Sequence, residues 1–161
     1  MLALTKEEGV FELTLLNAEA AREQFDDILV MGVSRGIPAE IMTRLQGLWD
    51  FTKVIAGEVV AVGKIVVQRI FAFLKANPNL TVGLALGAVV GAMVTSVPFL
   101  GPLLAPLSTS LATLYGGGVG AIIDNGTVSS DPFVAAVALA QKFFELLYTI
   151  FLSIKDYFAA N

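Results

Sequence analysis

Residues 80–123 hold no charged side chain: the last charge before them is Lys75 and the next is Asp124. The run is broken in its middle by Pro98-Phe99-Leu100-Gly101-Pro102. Its first arm places Gly83, Gly87 and Gly91 at four-residue spacing, and its second arm repeats the device with Ser108, Ala112, Gly116 and Gly120. Four-residue spacing keeps side chains in one stripe of a helix. Each arm is therefore expected to be a helix with a flat ridge of small residues. Such a ridge lets another helix backbone come close, as in the small-xxx-small contacts of membrane bundles. The run predicts a helical hairpin with arms over residues 80–97 and 103–123, close to the roughly 17–25 residues that cross a bilayer. Pro98, Phe99, Gly101 and Pro102 form its tip. Loops that meet water are ordinarily polar, so an apolar tip is expected in lipid or against protein.

Composition points the same way. Of the 161 residues 56% are hydrophobic and only 15% charged, against about 45–50% and about 25% in an average soluble domain. The chain has no cysteine and no histidine, which removes disulfides, thiol and imidazole chemistry and nearly all zinc or transition-metal sites. No catalytic constellation, cofactor or metal site is expected. Asp124 and Asp131 bracket a polar loop, but without further carboxylates nearby their expected role is helix capping.

The formal charge of −4 is unevenly spread. Residues 1–31 carry seven acids against Lys6 and Arg22. Residues 35–75 carry six bases against Glu40, Asp50 and Glu58. Pairing of the acidic arm with the basic segment is expected, within a chain or between neighbours. The bases are too dilute for a nucleic-acid reader, with no run and no interleaved aromatic platform. Met1-Leu-Ala-Leu lacks the basic start of a secretory signal. The expected location is an inner (cytoplasmic) membrane. Lys64, Arg69 and Lys75 just before the hairpin would put both its ends and the amphipathic helices on the cytosolic side.

Thr5 and Glu8 have capping-box spacing. Helical periodicity is plain from Asn17 to Met31, and Gly32, Gly36 and Pro38 end it. Pro38 opens an amphipathic helix expected over residues 38–76, with Gly57 and Gly63 as places to bend. A last amphipathic helix is expected over residues 131–159. On it Lys142 and Glu145 lie one turn apart, either as a polar path inside an assembly or as an interfacial ion pair. Trp49, Tyr115, Tyr148 and Tyr157 are candidate markers of headgroup level.

The expected fold is all-α and membrane-associated: an acidic arm over residues 1–37, then a membrane-inserting domain over residues 38–161 with the apolar hairpin at its centre. An apolar hairpin wrapped by amphipathic helices is similar in plan to the pore-forming domains of colicins. The likeness is architectural, with fewer helices here and no matched motif. The ridges admit contact between copies or contact with each other inside one chain. The first expectation is a small homo-oligomeric protein whose hairpins assemble in the bilayer as a pore, channel or membrane-disrupting complex. The alternative is a structural membrane scaffold or anchor, and a third reading is a soluble helical interaction module with the hairpin buried.

Overall fold

The computed structural model describes residues 3–115 and 131–159. Among these it consists of helices and one small β-hairpin. Helix α1 (Lys6–Ala20) starts on the expected capping box. The Thr5 hydroxyl accepts from the Glu8 N–H at 3.1 Å, and Glu8 Oε1 accepts from the Thr5 N–H at 2.8 Å. The helix expected to run on to Met31 instead breaks at residues 21–24, and α2 (Phe25–Ser34) begins after it. Asp26 and Asp27 lie in the first turn of α2, where carboxylates complement the helix dipole. Its other end is a Schellman turn: Gly36 takes φ +76°, its N–H donates to Val33 O, and the Ile37 N–H donates to Gly32 O at 3.0 Å.

The continuous helix expected over residues 38–76 is interrupted. Helix α3 (Ala39–Trp49) gives way to a two-stranded antiparallel hairpin, β1 (Lys53–Ile55) and β2 (Glu58–Val60), before α4 (Val62–Ala76). Ala56 and Gly57 both take positive φ, 55° and 83°, the geometry of a tight primed turn that suits the strand twist. The β-branched residues Val54, Ile55, Val59 and Val60 supply the strands. Asn17 ties this hairpin to α1, accepting from the Ala61 N–H at 2.9 Å and donating to Val59 O at 3.4 Å.

Gly63, an expected bend, lies in the first turn of α4 and is a contact point. Its N–H donates to Phe51 O at 3.0 Å. A Cβ at this position would collide with the Leu48 carbonyl. The end of α3 can therefore lie on the start of α4 only because residue 63 is glycine.

Helix α5 (Val82–Ser96) follows, apolar and mostly buried. A single 3₁₀ turn (Pro98–Leu100) leads into α6 (Gly101–Tyr115). After residue 130 come α7 (Asp131–Phe143), α8 (Glu145–Ser153) and α9 (Lys155–Ala159). The last helix expected over residues 131–159 is thus broken at Phe144 and again at Ile154, with α7 and α8 bent by 58°. Helix α5 packs most extensively on α7, then on α6 and α4. Helix α1 lies within the chain, against α8 and α4. Its acids do not form a ladder with the basic segment. Glu23 accepts from Gln68 at 3.2 Å, and the ion pair found among the described residues is Lys6–Asp156 at 3.6 Å.

The α3–α4 contact yields a test. Gly63→Ala should cost about 1–3 kcal/mol, because the methyl group would push against the Leu48 carbonyl and Phe51 Cβ, neither the end of a flexible side chain. Gly47→Ala, at a helix position with open space around it, should instead gain up to about 1 kcal/mol from propensity. Urea unfolding of the two variants reads both signs.

Candidate functional site

The first arm of the hairpin is enclosed. Ala85, Leu86, Ala88, Val89, Val90, Ala92 and Met93 are all fully buried, so α5 is covered over most of its circumference, leaving one strip at Leu84, Gly91 and Thr95 half-buried to exposed. A helix without charge and apolar all round belongs in a protein core or a bilayer. Its 15 residues span about 22 Å, short of the roughly 30 Å of hydrocarbon in a bilayer. Among the described residues no single helix is long and apolar enough to cross a membrane; α7 and α8 meet that length and composition only as a bent pair.

The ridge residues divide into three environments. Gly83 is buried, and a Cβ there would lie 2.6 Å from the Tyr115 ring, so α6 fills this notch within the chain. Gly87 is buried and Gly91 half-buried. At Gly91 no heavy atom of the described residues lies within 4 Å of the place a Cβ would take. Ser108 and Ala112 are half-buried on α6. Gly116 and Gly120 lie outside the described residues, as do the end of the second arm and Asp124. Asp131 is the first residue of α7.

The tip packs against protein. Leu100 and Leu104 are buried, Phe99 and Gly101 are half-buried, and Pro98 and Pro102 are exposed. The Phe99 ring lies 4.8 Å from that of Phe158, centroid to centroid. Between the tip, the foot of the β-hairpin and α9 opens a groove of about 660 Å³. Phe51, Phe99, Leu100, Leu103 and Phe158 give it an apolar lining, with Lys53, Lys155 and Asp156 as its charged members. A second groove of about 470 Å³ shares Phe51, Pro102 and Leu103 with it and runs on to Leu48, Leu107 and Arg44. Arg44 donates through Nε to the buried Ser110 hydroxyl at 3.1 Å. Neither groove has a local signature, because each gathers residues from distant segments.

Lys142 and Glu145 are both exposed, on either side of the break at Phe144, and no ion pair joins them. Trp49 is half-buried edge-on to Phe25, with Lys64 Nζ 5.2 Å above its ring. Tyr157 lies under Lys6. Among the described residues no three carboxylates gather where a cation would bind. No family model, curated protein or solved structure matches this chain.

Tyr148 is a polar exception in the shell. Its hydroxyl is buried on α8 with no hydrogen-bond partner among the described residues, and burial pushes the phenol well above its usual pKa. Removing the hydroxyl in Tyr148→Phe should be neutral or stabilising by about 1 kcal/mol at pH 7. Above pH 10 the unfolded phenol ionises while the folded one holds its proton, so native stability falls as pH rises. The wild type should lose about 1.4 kcal/mol per pH unit more than Tyr148→Phe in that range. Denaturant midpoints at pH 7 to 11 test it.

Proposed function

We propose that this chain is a non-enzymatic membrane-active protein that carries its apolar hairpin inside its own helices and delivers it to a bilayer. There, copies associate through Gly83, Gly87 and Gly91 into a pore or membrane-disrupting complex. The observation that carries the reading is that α7, the main cover of α5, is apolar on both sides. Its inner residues Phe133, Ala136 and Ala140 are buried. Outward, Val134, Leu139 and Phe143 of α7 and Leu146 and Leu152 of α8 stand 40–48% exposed. Exposed apolar surface of this kind marks a membrane or partner contact. A cover that binds lipid with its outer face can open without leaving its inner face to water. Helices α7 and α8 would then lie in the interface, with Lys142 and Glu145 at headgroup level. The cytosolic face of an inner membrane is the proposed location, on the placement of Lys64, Arg69 and Lys75 before the hairpin.

One observation favours a second reading. The Tyr115 ring in the Gly83 notch gives the ridge a partner inside the chain, as in an interaction module whose apolar hairpin is simply its core.

The two readings part at Gly91. Gly91→Leu starts its side chain at a point with no described heavy atom within 4 Å, on the partly open strip of α5, so the folded chain should keep its melting temperature within a few degrees. A bulky residue would block close approach between ridges after insertion. The wild type should release dye from anionic vesicles, and Gly91→Leu should release it at least tenfold more slowly. A wild type that neither binds nor permeabilises such vesicles leaves the module reading standing. Unchanged leakage by Gly91→Leu removes the ridge from the mechanism.

A further inference from the structure

We propose that the groove at the hairpin tip binds a long-chain carboxylate, its hydrocarbon tail on the apolar lining and its headgroup at Lys53 and Lys155. At about 660 Å³ the groove is within the range of small-molecule sites. Its lining has the division such a ligand needs. Phe51, Phe99, Leu103 and Phe158 offer ring faces and methyl groups with no hydrogen-bonding side-chain atom among them. A polar ligand would leave its donors and acceptors unpaired there, at a cost. The adjoining groove continues the apolar track past Pro102 and Leu103 to Leu48 and Leu107, which gives a flexible chain somewhere to run.

The charge at the mouth selects the headgroup. Asp156, the carboxylate among the described residues that line the groove, lies 3.6 Å from Lys6. Lys155 is exposed and Lys53 half-buried, and neither forms an ion pair among the described residues. Lys53 Nζ lies 5.7 Å from the centroid of the Phe158 ring, which fixes one cation directly beside the apolar lining. In a chain of net charge −4, two cations with no ion-pair partner among the described residues at the rim of an apolar groove complement a single anionic head on an apolar tail. This inference stands apart from the membrane proposal, since the folded monomer alone supplies the site.

The test is calorimetric titration of the intact chain with dodecanoate below its micellar concentration. One dodecanoate should bind per chain, and affinity should rise about tenfold for each two methylenes added from octanoate upward. Dodecyltrimethylammonium, with the same tail and the opposite charge, should bind at least tenfold more weakly. Lys53→Ala/Lys155→Ala should weaken dodecanoate about tenfold and leave dodecanol unchanged. If that pair fails to fold, Lys155→Ala alone, at an exposed position, reads the same preference. Absence of saturable one-to-one binding overturns the proposal. So does equal affinity for the cationic amphiphile, or a lysine variant that binds dodecanoate like the wild type. Vesicle leakage is not read here, so the fate of the membrane reading leaves this result untouched.

Discussion

Enclosing α5 is the constraint on which the rest of the molecule depends. Burying Leu86, Val89, Val90 and Met93 at about 1.5–3 kcal/mol each contributes roughly 6–12 kcal/mol. That is the same size as the whole net stability of a typical domain, about 5–15 kcal/mol. The helix therefore cannot be left in water without unfolding the protein. Lipid or the apolar surface of a partner is a surrounding that accepts those side chains without that loss, so a covered apolar helix is compatible with the proposed membrane role. Helices α7, α6 and α4 supply the cover, and α3 and α1 brace it from behind.

The bracing is done by a few polar ties between segments far apart in sequence. Arg35, just past α2, donates to Leu74 O at 2.6 Å and Leu80 O at 3.2 Å. It thereby satisfies carbonyls at the end of α4 and in the turn that delivers α5. Asn17 holds the β-hairpin on α1, and Gln68 reaches Ala20 O at 3.4 Å where α1 ends. By contrast α5 meets its neighbours through apolar side chains, and Thr81 caps its first turn from within the same segment. Side-chain hydrogen bonds tie α4 to α1 and α6 to α3, while among the described residues α5 meets its neighbours by packing along its buried length.

Signals confined to a few neighbouring residues were legible in the chain. The Thr5–Glu8 box, the Gly36 helix stop and the apolar hairpin with its Pro98–Pro102 turn all follow from spacing and backbone chemistry. The β-hairpin did not announce itself. Ile55, Val59, Val62 and Val66 also fit helical spacing, and Ala56 adopts its left-handed conformation without the Asn-Gly pair that flags such turns. Paired β-branched residues on both sides of Gly57 were the signal available. The ridges fixed which side chains share a face but not what that face meets, so the major role of α7 against α5 could not be read from them. The groove was illegible for a plainer reason: residues 51–53, 99–103 and 155–158 meet only once the chain has folded.

The claim that α5 leaves its cover at a bilayer has a direct measure. The chain has no cysteine, so Thr95→Cys on α5 and Leu139→Cys on α7, both exposed positions, carry a pair of spin labels without interference. Pulsed dipolar spectroscopy in buffer should give one short, narrow distance between them. In protein bound to anionic vesicles the distance should lengthen by at least a helix diameter, about 10 Å. A distance that stays short and narrow in bound protein while the vesicles leak would contradict the account, because the membrane would then be disturbed with α5 still in its cover.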